Sequence, residues 1–362
     1  MDLFNIFHSG LLLSLSTSAG LSLLIVLTQK WHGHFSHDTH SGPQKFHHSL
    51  TPRVGGIAIF IALIVSLIVS PGNLSPLLKP IMIAGLPVFV LGVAEDLSKR
   101  VNALQRLLAA IVTATLAWWL TGYSLNHLDL QGVDYLLSWL PLSVAFTAFA
   151  VAGLTNAINI IDGFNGLASG TVIIALSALG VIAWQVGDTQ LAQLCLTVIV
   201  VLIGFMLFNY PFGKIFLGDG GAYLIGFILA WVAVMLPMRN PQVSVWASLL
   251  VCSYPINEAV FSMTRRFWNK THLHEADSNH MHSLIKKKIV RPHFSHLKPC
   301  FRNSLVAPFC WSYALIFALI AITLQNNTPQ LMAAWLASFT LYAIIYRLLT
   351  QIKTKPHPTP KH

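Results

Sequence analysis

Residues 156–170 read NAINIIDGFNGLASG and lie between two apolar runs, 139–155 and 167–185. Asn156, Asn159 and Asp162 recur at intervals of three, so on a helix the two asparagines share a face and the aspartate extends it. A helix end closed by Gly163 accounts for one polar residue. It leaves the other two without a role. Amide carbonyls and carboxylates are hard oxygen donors, suited to Mg2+ or to hydrogen bonds with a sugar. The fold turns on whether this polarity ends a soluble helix or a membrane span.

The surrounding composition answers for a membrane. The chain has 362 residues, 55% of them hydrophobic and only 9% charged, with a mean hydropathy of +0.66. Soluble domains carry about 25% charged residues. A helix needs about 20 mainly apolar residues to cross a bilayer. Eleven such runs are legible, roughly 10–27, 54–70, 80–94, 104–121, 139–155, 167–185, 190–208, 220–237, 243–261, 305–325 and 329–349. They predict an all-α, polytopic integral membrane protein forming one domain over 1–362. The first run lacks a basic leader and a small-residue cleavage site, so it reads as a retained span. Cys195, Cys252, Cys300 and Cys310 form no CxxC pair, and no disulfide framework or zinc site is indicated. The net charge of +10 does not point to nucleic acid, because the basic residues sit in short loops between apolar runs.

Those loops orient the spans. Lys79 and Arg239 fall on one side of an eleven-span chain, and the other 20 of the 22 lysines and arginines fall on the opposite side. The bias predicts an N-out, C-in arrangement. Asp2, Asp129, Asp134 and Asp188 then lie outside, in plain loops. Asp38, Glu95, Asp96, Asp162, Asp219, Glu258, Glu275 and Asp277 lie inside, mostly against span ends or in strings rich in Gly and His. A long loop, roughly 262–304, and the basic tail 350–362 share that side. Chemistry is expected at the cytoplasmic face.

Five strings converge there. FHHSLTPRVGGIAIF (46–60) sets Pro52, Arg53 and a Gly pair at the entry to the second span. Proline at a helix start and paired glycines are ordinary packing devices, while Lys45 and Arg53 suit an anionic headgroup. GVAEDLSKR (92–100) ends the third span with Glu95 and Asp96. Adjacent carboxylates at a membrane boundary are costly unless solvated, paired or metal-bound. The 156–170 stretch is the third string. The fourth, FGKIFLGDGGAYLIGF (212–227), places Asp219 among glycines that let a phosphate or metal approach the backbone at a helix N-terminus. The fifth, HLHEADSNHMHSLIKKK (272–288), has His and Asp at spacings that suit a transition metal. Its adjacent basic run favours a loop contacting phosphate and uridine.

Taken together, TPRVGG, AED, NAINIIDGFNGLA, FLGDGG and DSNHMHSLI resemble, in order and over residues 45–285, the polyprenyl-phosphate N-acetylhexosamine-1-phosphate transferases of glycosyltransferase family 4. The eleven-span layout is similar to the WecA-like branch. The resemblance implies an enzyme of the bacterial inner membrane with a cytoplasmic active site. It implies transfer of a sugar 1-phosphate from a UDP-sugar to undecaprenyl phosphate or a similar lipid, with release of UMP and initiation of a cell-surface glycan such as O-antigen or capsule. It also implies roles at matching positions. Asp219 ligates Mg2+, with Mn2+ as the alternative ion, and Asn156 is a second contributor to the metal site. Glu95 and Asp96 form the acidic pair near the acceptor phosphate, where either removes a residual proton. Asn159 and Asp162 line the nucleotide-sugar pocket, Asp162 counting with the catalytic acids. His280 and His282 contact the donor, and Lys45, Arg53 and Asp277 complete the substrate-binding set. Two positions depart from the family pattern. Glu95 replaces the first aspartate of the acidic pair, and Asn165 replaces the second acid of a DG-x-DG string. The triple histidine of the muramoyl-pentapeptide branch is absent.

Two other classes fit less well. A transporter needs ionisable groups near the bilayer midplane and usually repeated halves, whereas here the acids gather at one face and no repeat is visible. A CDP-alcohol phosphotransferase needs regularly spaced paired acids, and only Glu95-Asp96 is paired.

Overall fold

The computed structural model describes residues 2–36, 51–269 and 279–352, and all regular structure among them is helical. In order the helices are α1 (Asp2–Ser36), α2 (Gly55–Val69), α3 (Pro71–Ala84), α4 (Leu86–Ser98), α5 (Ala103–Thr121), a short α6 (Val133–Leu137), α7 (Leu140–Ile161), α8 (Leu167–Gln185), α9 (Thr189–Asn209) and α10 (Gly218–Arg239). They continue with α11 (Val245–Val251), α12 (Ser253–Trp268), α13 (Met281–Ile285), a π-helical turn over Lys286–Val290, α14 (Arg291–His293), α15 (Pro299–Ser304), α16 (Val306–Leu324) and α17 (Thr328–Gln351). Among the described residues eight helices are long and apolar enough to cross a membrane, and a ninth span arises if α3 and α4 count as one. The protein is a polytopic helical membrane protein.

Three of the eleven apolar runs differ from full straight spans: the run 54–70 forms α2, which at 15 residues is shorter than a spanning helix, and two others are broken. The run 80–94 bends by 50° between α3 and α4 at Gly85. Pro87 lies just beyond the break, where it has no N–H for the carbonyl four residues back and its ring crowds that carbonyl. The run 243–261 is interrupted at Cys252, between α11 and α12. Pro255 removes a helical bond there in the same way. Elsewhere local signals behave as expected. Asn102 and Gln105 form a reciprocal capping box at the start of α5.

Helix α10 forms the axis of the bundle. It packs against α2, α4, α7 and α8 and is buried along almost its whole length. Close approach depends on glycine at a few points. A Cβ on Gly56 would lie 2.3 Å from the amide nitrogen of Gly221, and one on Gly92 would lie 2.6 Å from the Cα of Gly220. Backbones of α2, α4 and α10 therefore touch at one end of the bundle. At the other end of α10, Arg239 grips Asp188 bidentately, Nε to Oδ2 at 2.7 Å and Nη2 to Oδ1 at 2.9 Å, and also donates to the Tyr123 hydroxyl. One of the two basic residues expected outside is thus neutralised by an acid expected outside.

Candidate active site

The motif strings meet where α10 begins. Backbone bonds join TPRVGG to FLGDGG: Phe216 N donates to Pro52 O at 2.8 Å, Gly55 N to Phe216 O at 3.0 Å and Gly56 N to Leu217 O at 2.9 Å. The pairing aims Arg53 at the first turn of α10. That turn holds Asp219, whose Oδ1 accepts from Asn159 Nδ2 at 3.1 Å and lies 3.5 Å from Arg53 Nη2, while Oδ2 is 2.6 Å from Arg106 Nη1.

Asp96 is 2% exposed and reaches the same turn from α4. Its Oδ1 accepts the amide N–H of Asp219 at 2.8 Å and its Oδ2 that of Gly220 at 2.9 Å. These are two of the donors a helix start leaves unpaired, and a carboxylate there also suits the helix dipole. Asp96 therefore fixes the backbone that carries Asp219. Glu95 points elsewhere, its Oε2 accepting from Val101 N at 2.8 Å in the α4–α5 connection.

Helix α7 delivers the amides. Asn159 touches Asp219 directly, and Asn156 sits one turn earlier, accepting from the Tyr223 hydroxyl at 3.2 Å and donating to Ala152 O. Asp162 caps the helix and makes no side-chain hydrogen bond among the described residues, but it lies within electrostatic reach of Arg53, Asp219 and Asp96. Burial, reinforced by those two carboxylates and opposed by Arg53, pushes its carboxyl up to about 7.

The turn after α7 carries Phe164 and Asn165. Asn165 is buried, and its Nδ2 donates towards Pro211 O at 3.2 Å, Ser304 Oγ at 3.3 Å and Cys300 O at 3.5 Å. A carboxylate in that position would face acceptors instead. The departure from the family's acid thus has a local cause: this residue ties the turn to α15. Asn165→Asp is expected to cost about 2 kcal/mol of stability. Thermal unfolding of the purified variant, compared with the parent, checks this.

The described histidines close the other side. His282 packs edge-on to Phe164 with ring centroids 5.6 Å apart, and its Nε2 would lie 3.7 Å from a Cβ on Gly163. His280 stacks on His282 at 5.2 Å. Both turn their Nδ1 atoms to Glu258 of α12, at 3.0 and 3.5 Å. Just beyond, the buried Lys286 donates to Asn303 Oδ1 and lies 6.0 Å from the Phe164 ring centre. Burial, with Arg302 and Arg291 nearby, pulls its ammonium down from 10.5 to about 7. Between those two values the unfolded chain binds more protons than the folded one, so stability rises with pH across that window. Below about pH 7 the ammonium is charged in both states and its burial cost is fully present. Lys286→Met is expected to flatten the rise in melting temperature between pH 7 and 9.5, measured against the parent in the same buffers.

Of the residues singled out in the sequence, Arg53, Asp96, Asn159 and Asp219 share direct contacts, and Asn156 and Asp162 flank them. Glu95 lies at the rim. His280 and His282 lie along the Gly163–Phe164 turn. Lys45 and Asp277 are outside the described residues. Four contributors were not singled out: Arg106, Tyr223, Glu258 and Lys286. Tyr223 was findable, being one helical turn beyond Asp219 on the same face. So was Glu258, because an acid inside an apolar run is a functional candidate by default.

The donor set has a definite chemistry. Asp96, Asp162 and Asp219, with Glu95 nearby, outnumber the guanidiniums of Arg53 and Arg106. Among the described residues no three His, Cys, Asp or Glu side chains form a ready-made metal cage. The carboxylate and amide oxygens present are the hard donors that Mg2+ takes, one or two carboxylates sufficing beside waters and substrate phosphates.

Fold and site together define an integral membrane protein with a cluster of carboxylates, amides and guanidiniums at one end of its bundle. Residues 78–237 match the glycosyl transferase family 4 model. The chain is 29% identical over 308 residues to a probable undecaprenyl-phosphate N-acetylglucosaminyl 1-phosphate transferase of Bacillus subtilis, covering 83% of this chain and 80% of that protein. An undecaprenyl-phosphate alpha-N-acetylglucosaminyl 1-phosphate transferase of Yersinia pestis is 28% identical over 251 residues, 67% of this chain and 68% of the relative. A phospho-N-acetylmuramoyl-pentapeptide-transferase of Levilactobacillus brevis is 30% identical over 202 residues, 51% and 62% of the two chains. Over residues 78–237 the chain is similar to glycosyl transferase family 4.

Proposed function

We propose that the protein transfers N-acetylglucosamine 1-phosphate from a UDP-sugar to undecaprenyl phosphate, releasing UMP. The observation that carries this reading is Asp219 at the N-terminus of α10, held by Arg53, Arg106 and Asn159. The names of the relatives support the acceptor and the sugar. The matched region holds the acidic pair, the 156–170 stretch and Asp219.

In the reaction an oxygen of the lipid phosphate attacks the phosphorus that bears the sugar. The bond from that phosphorus to the bridging oxygen breaks, and UMP takes the electron pair. A lipid phosphate monoester is largely a dianion near neutral pH, so positioning matters more than deprotonation. Asp219 and Asn156 would hold Mg2+, or Mn2+ in its place; the ion supplies charge neutralisation on the diphosphate as UMP leaves. Arg53 and Arg106 bind phosphate oxygens, Asn159 and Asp162 orient the sugar-bearing diphosphate, and His280 and His282 contact the donor. Asp96 holds the turn that presents Asp219, and Glu95 is the carboxylate left at the rim to take a residual proton. The basic-residue count supports eleven spans with N-out, C-in topology, the site on the cytoplasmic face of the inner membrane, and the product as the start of a cell-surface glycan.

Purified protein in detergent with Mg2+ and undecaprenyl phosphate, offered a panel of UDP-sugars, tests the reading. UMP release should be fastest with UDP-N-acetylglucosamine and should stop on chelation. Equal release without the lipid would overturn it.

A further inference from the structure

We infer that Glu258 is the positioning residue for the donor-side histidines, fixing both rings by Nδ1 and presenting the Nε2 edge of His282 to the Asp162–Gly163 turn as a donor for an anionic diphosphate. The inference rests on the transferase reading for its ligand and on geometry alone for the rest.

Glu258 is 1% exposed on α12. Oε1 accepts from His280 Nδ1 at 3.0 Å and from the Met281 amide at 3.1 Å, and Oε2 lies 3.5 Å from His282 Nδ1. One side chain thus hydrogen-bonds two residues that follow the long loop and stands beside the Nδ1 of a third. Among the described residues no lysine or arginine pairs with it, and the remaining titratable neighbours are Tyr254, Cys310 and Tyr342. A carboxylate so enclosed needs a compensating positive charge, and the two imidazoles are the groups able to supply it. With Nδ1–H directed at the carboxylate, the opposite nitrogen of each ring is set in place. The two rings lie parallel, 9° apart, as a shared anchor requires. The nitrogen of His282 that faces away from Glu258 is the one beside Gly163, the residue after Asp162. Phe164 borders the same ring edge-on. A protonated Nε2 in that place is a charge-assisted donor to phosphate oxygens.

The test uses the full chain in nanodiscs. Glu258→Gln keeps the shape and removes the charge. It should raise KM for UDP-N-acetylglucosamine about tenfold with a smaller change in kcat, while Glu258→Asp recovers part of the loss. The effect should vanish in a His282→Ala background, because the carboxylate acts through that ring. An unchanged KM in Glu258→Gln, or losses that simply multiply with His282→Ala, would overturn the role. Nitrogen-15 NMR of labelled histidines decides independently of turnover. Two imidazoles protonated at Nδ1 are expected in the parent and should be lost in Glu258→Gln. Parent protein that shows those signals without releasing UMP would reject the transferase reading and keep the anchor. Parent protein that turns over without them would reject the anchor alone.

Discussion

Replacing Asp219 with asparagine is expected to lower Mg2+-dependent UMP release about a thousandfold, the scale of losing a group that stabilises developing charge. The carboxylate meets Asn159 on one oxygen and Arg106 on the other, with Arg53 within reach. An amide cannot neutralise a divalent ion, and its NH2 would turn on a guanidinium or on the Asn159 donor. The fold should persist, because the N-terminus of α10 is held by Asp96 through backbone amides that the substitution leaves alone. Turnover as a function of Mg2+, with the melting temperature of the same preparation, makes the check. Full activity in Asp219→Asn would remove this residue from the metal role.

Gly92→Ala should be nearly as damaging for a different reason. The new Cβ would sit 2.6 Å from both the Cα and the amide nitrogen of Gly220 and 2.8 Å from the carbonyl carbon of Asp219. Those neighbours are backbone and cannot rotate away, so α4 and α10 must separate. Overpacking costs about 1–3 kcal/mol. A shift of about 1 Å at a reacting centre costs on the order of a hundredfold in rate. Gly153→Ala is the matched control, since a Cβ there meets nothing within 4 Å. Side-by-side melting and UMP-release measurements should show a large double loss for position 92 and little change for position 153.

Much of this candidate site is legible in the sequence, because it is written in residues that cost energy where they stand. Asn156, Asn159, Asp162 and Asp219 are polar groups at the ends of apolar runs, and the basic-residue count put them on one face. The runs themselves correspond to helices. Their interruptions at Gly85 and Cys252 were less visible, since Pro87 and Pro255 lie inside windows whose average hydropathy stays high. Direction was harder still. Glu95 and Asp96 are adjacent in sequence, yet one caps a connection and the other caps α10, a divergence set by helix phase and by which neighbour offers free N–H groups. Arg106 looked like one more inward-side cation. Its pairing with Asp219 depends on α5 packing beside α4 and α7, a tertiary fact absent from local sequence.

The enclosure of α10 bears on how the protein is made. Within its apolar window 89% of residues are buried inside the protein, so in the finished molecule this helix has almost no lipid contact. Synthesis runs from the N-terminus, and membrane helices insert before they pack. Helix α10 therefore leaves the insertion machinery after α2, α4, α7 and α8 and must slot into the space they frame. Asp219 reaches Asp96, Asn159 and both arginines only when that docking is complete. A nascent chain stalled short of α10 would carry Arg53, Asp96, Arg106, Asn156, Asn159 and Asp162 and still have no centre.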